Sequence, residues 1–162
     1  MPPTIPTLAL LLALLAGGTA TAQGTALGFG GGEFDNQAPV DVASDRLEVD
    51  QATGRAVLTG NVVVAQGTLR LSAEQVTVEY AEADGRRRIE RLIATGEVLI
   101  VAGEDAAEGE EAVYTIGTSN LVLTGDVVVT QGGNTLAGDR LDIDLASGAG
   151  TVTGRVRTTL QP

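Results

Sequence analysis

The sequence predicts an all-β fold built from a repeated unit, and three observations carry that prediction. Apolar residues alternate with others at a period of two, as in Val98/Ile100 and Leu141/Ile143, the signature of strands with one buried face. The 22 glycines of this 162-residue chain punctuate the apolar runs, where glycine accepts the positive φ of tight turns. Finally, a shift of 65 positions lays Leu58-Thr59-Gly60-Asn61-Val62-Val63-Val64-Ala65-Gln66-Gly67 over Leu123-Thr124-Gly125-Asp126-Val127-Val128-Val129-Thr130-Gln131-Gly132 without a gap, which marks an internal duplication.

Residues 1–22 stand apart. They carry no charge, hold an apolar run from Leu8 to Leu15 and end in Ala20-Thr21-Ala22, the small-x-small pattern that a signal peptidase cuts. The expectation is a signal peptide cleaved before Gln23, although no Lys or Arg precedes the run. The run is too short for a bilayer span, which needs roughly 20 apolar residues. Residues 23–38, rich in glycine, are read as a flexible N-terminal segment, and residues 39–160 as the folded domain.

Composition removes most chemistry. Cysteine and histidine are absent, so there is no disulfide, no thiol nucleophile, no Ser-His pair and no ordinary zinc site. An enzyme is not expected, and neither is a cofactor. The net charge of −11 repels phosphate on average, which argues against nucleic acid as a partner. The basic cluster Arg86-Arg87-Arg88 follows Ala83-Asp84-Gly85 and reads as a solvated turn tip in preference to an anion contact.

A finer unit lies inside the duplication. Ser44-Asp45-Arg46-Leu47-Glu48-Val49, Ala73-Glu74-Gln75-Val76-Thr77-Val78, Gly109-Glu110-Glu111-Ala112-Val113-Tyr114 and Gly138-Asp139-Arg140-Leu141-Asp142-Ile143 share a small residue, an acid and alternating apolar positions. Each is followed by a Thr-Gly pair, at Thr59-Gly60, Thr95-Gly96, Thr124-Gly125 and Thr153-Gly154. A Gly inside an apolar run predicts a bulge or a corner. The second unit is longer, with its extra residues around the Ala81 to Arg88 loop. The acids Asp45, Glu74, Glu110 and Asp139 come one per unit, so turn-capping hydrogen bonds account for them better than a calcium ladder does. About a dozen short antiparallel strands result, stacked as a jelly-roll-like sandwich or as a short β-solenoid, with open edges at both ends.

The ordered motifs carry a resemblance. Pro39-Val40, then Ala43-Ser44-Asp45-Arg46-Leu47-Glu48-Val49-Asp50, then Gly54-x-Ala56-x-Leu58-Thr59-Gly60-Asn61-Val62 resemble the opening of the OstA-like family. Gly109-Glu110-Glu111-Ala112-Val113-Tyr114 and Leu121-x-Leu123-Thr124-Gly125-Asp126-Val127 resemble its next stretch, so that the likeness runs from about Pro39 to Gly154. The resemblance implies a β-jelly roll in the periplasm whose apolar interior shields the acyl chains of lipopolysaccharide. It also implies sheet-edge pairing with an inner-membrane-anchored bridge component and with an outer-membrane translocon. The same edges admit a second copy of the chain.

Alternation nominates the groove residues: Leu47, Val49, Leu58, Val62, Val64, Leu71, Val76, Val78, Val98, Ile100, Tyr114, Leu123, Val127, Val129, Leu141 and Ile143. The register of Val62-Val63-Val64 stays open, because all three are apolar. The last run nominates Val152, Val156 and Thr158 as a partner edge. A scaffold that polymerises edge to edge remains the alternative function. A carbohydrate-binding accessory role is weaker, because only Phe29, Phe34, Tyr80 and Tyr114 are aromatic.

Overall fold

The computed structural model describes residues 27–32 and 34–162. The expected signal peptide, residues 1–22, lies outside them. Ten strands are found among the described residues: β1 (Val40–Ala43), β2 (Arg46–Asp50), β3 (Arg55–Gln66), β4 (Leu69–Ala83), β5 (Arg86–Ala102), β6 (Asp105–Thr115), β7 (Asn120–Gln131), β8 (Asn134–Asp144), β9 (Ala149–Thr153) and β10 (Arg157–Thr159). Short 3₁₀ turns occupy Phe29–Gly32 and Ile116–Thr118. All the strands belong to one antiparallel sheet: β3 to β8 follow in chain order, β1 and β2 both pair with β3, and β9 and β10 both pair with β8. The sheet is open, with β1 and β2 as one edge and β9 and β10 as the other. Antiparallel hairpins of this kind exclude the solenoid alternative.

Each Thr-Gly pair is a corner. Gly60 and Asn61 together oppose the single residue Glu74, and the ladder resumes at Val62 opposite Ala73. Two residues against one is a bulge, which bends the strand and sharpens its twist. The same shift recurs at Gly96-Glu97 and Gly125-Asp126, while Gly154-Arg155 separates β9 from β10. Both residues of every pair have positive φ. The corners divide each long strand into two arms, and the arms fold over one another. Tyr114 stands in the arm that holds Arg55–Thr59 of β3, the first arm, and donates its hydroxyl at 2.9 Å to Gln66 Oε1 at the tip of the second arm, which holds Val62–Gln66. Side chains of both arms form one core cluster. The dozen short strands expected are therefore fewer and longer, because a bulge interrupts the ladder without ending the strand.

The recurring acids belong to the corners, not to turns. Asp45 lies over Gly60, Glu74 over Gly96, Glu110 over Gly125 and Asp139 over Gly154. Asp45 also accepts from Asn61 Nδ2 at 2.9 Å, and Asp139 pairs with Arg155. These contacts, rather than the expected turn caps, explain one acid per unit. A methyl group on Gly125, at φ +84°, would lie 2.5 Å from Glu110 Oε2 and 2.7 Å from its Cβ. Gly125→Ala is therefore expected to cost about 1–3 kcal/mol through backbone strain and overlap. Gly117→Ala, with nothing near its added methyl group, should stay within about 0.5 kcal/mol. Urea midpoints of the two variants check the contrast.

The longer unit is a strand extension and not a loop. Beyond Arg55↔Glu79 on one side and Arg91↔Thr115 on the other, β4 and β5 continue alone to the Asp84-Gly85 turn. Glu79 anchors the root of this ribbon between Arg91, at 2.5 Å, and Arg55, at 2.8 Å. The hydrogen bond from Arg91 does most to hold its carboxyl below the ordinary glutamate range. Arg87 lies over the Tyr80 ring, 5.4 Å from its centroid.

Candidate functional site

Directly opposed residues of an antiparallel ladder share a face, so the registers define rows across the sheet. In the first arm, one row runs Leu47, Leu58, Val76, Ala94, Ala112, Leu123, Leu141, Val152. The row beside it runs Val49, Ala56, Val78, Leu92, Tyr114, Leu121, Ile143, Gly150. In the second arm, Val42, Val64, Leu71, Ile100, Ala107, Val129, Leu136 and Thr158 form a third row. Val62, Val98 and Val127 lie closer to the corner line and are also buried. Two apolar walls thus face each other from the β1/β2 edge to the β9/β10 edge.

The rows are covered unevenly. Leu58, Val62, Val64, Leu71, Val76, Val78, Val98, Ile100, Tyr114, Leu123, Val127, Val129, Leu141 and Ile143 are buried, as their inward assignment requires. Leu47 and Val49 face the same way but are 58% and 63% exposed. They are not core residues. They sit on an edge strand, and Val42 of β1, which starts the row of the facing arm at the same edge, is exposed too, so that together they form an uncovered apolar mouth. At the other edge Val152 is half-buried on the inner face. Val156 is exposed in the bend between β9 and β10, and Thr158 is exposed on β10 opposite Leu136. A cavity of about 300 Å³ lies beside this edge, lined by Leu27, Val129, Leu136, Thr158 and Leu160 among others.

The side opposite the corners is closed by the N-terminal segment. Read from sequence as flexible and outside the domain, its described part instead contributes to the core. Phe29 is 1% exposed, and Leu27 and Phe34 pack against the same cluster. Phe29 N donates to Gly148 O on the lip of the first arm, and Gly30 N to Asp105 Oδ2 on the lip of the second. Gln66 Nε2 donates to the carbonyls of Asn36 and Ala38. Gln131 Nε2 donates to the carbonyl of Leu27 at 2.7 Å. The sequence pattern gives these glutamines no role of their own. The signal was present, however, because Gln66 and Gln131 coincide under the shift of 65 positions.

Among the described residues, Tyr114 is the one polar handle inside the walls besides the lips. Burial pushes its phenol up to about 12. An unfolded tyrosine titrates near ~10, so the neutral phenol's contribution to stability is complete below that pH and is lost as pH rises to 12. The wild-type melting temperature is expected to fall across this window, and that part of the fall should vanish in Tyr114→Phe. Melting curves from pH 9 to 12 check it.

The family model for the LptA/(LptD N-terminal domain) LPS transport protein matches residues 41–149, the whole of the bent sheet up to β9. The chain belongs to this LptA family of lipopolysaccharide transport proteins. Among similar proteins, the uncharacterised protein R00383 of Rhizobium meliloti (strain 1021) is 32% identical over 109 residues, 64% of this chain. The chain spans 59% of that relative's length. Among solved structures, LptH of Pseudomonas aeruginosa is described as the LptA-homologous periplasmic component of the conserved lipopolysaccharide transport device. It superimposes with a TM-score of 0.71 at 24% identity, covering 79% of this chain and 99% of LptH. That likeness fixes the fold as LptA-like. The family is one of transport proteins, and what the walls offer a ligand is apolar surface and shape. Among the described residues no group of three or more His, Cys, Asp or Glu gathers to hold a metal ion.

Proposed function

We propose that this protein carries lipopolysaccharide across the periplasm by holding its acyl chains between the two apolar walls while the sugar end stays in water. One observation carries the reading: the inner rows are continuous from one open sheet edge to the other, and they are left uncovered at the Leu47/Val49 mouth. Each methylene withdrawn from water contributes about 0.8 kcal/mol, so an aliphatic lining suffices without a reactive group. The three rows carry no charged side chain, although the chain as a whole has a net charge of −11. The acyl tails, not the anionic headgroup, are then the handle. Loose headgroup contact suits a conduit whose cargo must move on.

The edges supply the connections. β1 and β2 at one end, β9 and β10 at the other, each have a single strand neighbour. Unpaired ladder groups of this kind bind by strand addition. The inner-membrane-anchored bridge component and the outer-membrane translocon are the partners this geometry suits, and a second copy of the chain could pair by the same edges. The test is purification from a Gram-negative host with mass spectrometry of bound lipid, joined to photo-crosslinkers at Leu47 and Val49. Lipopolysaccharide adducts at the mouth are expected. Filaments without any lipid adduct would replace the conduit by a scaffold.

A further inference from the structure

We infer that the described N-terminal residues, 27–32 and 34–38, are a displaceable stopper, with Phe29 and Phe34 occupying the space that acyl chains take when lipid is bound. The inference rests on the functional reading above and adds to it how the groove is opened. In the middle of the walls the space is filled: Val62, Ala94, Ile100 and Leu123 are fully buried, while the cavity of about 300 Å³ lies out beside the β9/β10 edge. Something must leave before a lipid tail can enter. Strands β3 to β8 cannot leave, because each is paired on both sides. The described residues of the N-terminal segment cross the open side opposite the corners from lip to lip and pair with no strand.

Its attachments are of a kind that can be exchanged. The apolar anchors are Phe29, which is buried, and Phe34, whose ring meets Tyr114 edge-on at 6.2 Å between centroids. A lipid tail offers the walls the same apolar contact. The polar anchors are the backbone amides of Phe29 and Gly30 on Gly148 O and Asp105 Oδ2, Asn36 Nδ2 on Ser119 Oγ, and the side-chain amides of Gln66 and Gln131, one from each half of the duplication, on the carbonyls of Asn36, Ala38 and Leu27. Both glutamines stand at the lips, where water can replace those carbonyls once the segment lifts. Gly28, Gly30, Gly31 and Gly32 surround Phe29, and ordering such a stretch costs more backbone entropy than ordering any other residues would. Release returns that entropy, so the segment is held firmly enough to cover the walls and loosely enough to yield.

A reversible lock tests this. A Cβ on Gly30, at φ +74°, would lie 3.0 Å from the Cβ of Ala102; a disulfide, with its Cβ atoms about 3.8 Å apart, therefore needs the segment to give by under ~1 Å and to carry a strained residue, and the chain has no cysteine of its own to interfere. In the full chain carrying Gly30→Cys and Ala102→Cys, binding of purified lipopolysaccharide is measured with the disulfide formed and after reduction with dithiothreitol. The oxidised form is expected to bind at least tenfold more weakly while still melting cooperatively, and reduction should restore binding to the wild-type level. Phe29→Ala with Phe34→Ala is expected to bind more tightly than wild type. Equal binding by the oxidised and reduced forms would overturn the stopper and leave the conduit standing. No binding by wild type, by either form or by the alanine variant would overturn both.

Discussion

Val62→Asp is expected to abolish the cooperative unfolding transition, whereas Val63→Asp, one residue along, should shift it by less than about 1 kcal/mol. Val62 is fully buried opposite Ala73, while Val63 is 41% exposed opposite Ser72 on the outer face. Removing the buried valine forfeits about 1.5–3 kcal/mol of apolar burial. An unpartnered carboxyl in its place costs roughly 2–7 kcal/mol more, even when it takes up a proton. Together these approach the whole stability of an ordinary domain, about 5–15 kcal/mol. On the outer face neither term applies, and only strand preference is at stake. Urea titration followed by far-ultraviolet circular dichroism reads both variants, and a stable Val62→Asp protein would refute the inward register of β3.

That pair of valines also shows where the sequence was readable and where it was not. The three-valine run in β3 cannot reveal its own phase, because an apolar residue on an outer face costs little. The partner strand resolves it. Along β4 the inward positions change from odd to even across Glu74, with Leu69 and Leu71 before it and Val76 and Val78 after it. That change of phase is visible in the sequence as soon as the Thr-Gly pair opposite is read as a bulge. The repeated units, the corners, the antiparallel order and most inward residues follow from such local patterns.

What the sequence hides depends on contacts between distant segments. Leu47 and Val49 alternate as cleanly as Leu141 and Ile143, yet the first pair is exposed and the second is fully buried. Alternation reports which way a side chain points. Whether anything covers it is decided by neighbours distant in the chain, and at the β1/β2 edge they leave Val42, Leu47 and Val49 exposed. The N-terminal segment is the reverse case. Its glycines give no period and suggest a linker, but Phe29 finds the open side of the folded sheet, 119 residues from the Gly148 carbonyl that receives its amide. No local pattern announces a contact of that range. The acids misled for a similar reason: a carboxylate over a glycine in the next strand and a carboxylate capping a turn look alike in one dimension.

The uncovered mouth sets up the second large effect, one on function without one on fold. Leu47→Glu with Val49→Glu is expected to leave the urea midpoint within about 0.5 kcal/mol per site, since both side chains are already largely exposed. Lipopolysaccharide loading should nevertheless fall at least a hundredfold. In the loaded or docked state these two positions continue the apolar rows outward from Leu58 and Ala56, so whatever meets the mouth must cover them. Covering a leucine and a valine contributes about 1.5–3 kcal/mol each, and covering a carboxylate instead costs several kcal/mol. Even half of that difference exceeds the roughly 2.8 kcal/mol that a hundredfold change requires. Glu48→Gln, on the outer face of the same strand beside Arg46, removes a charge without touching the rows and should load normally. Equal loading by the double variant and by Glu48→Gln would mean that cargo does not pass over this edge, and the route would have to lie along the side that the N-terminal segment closes.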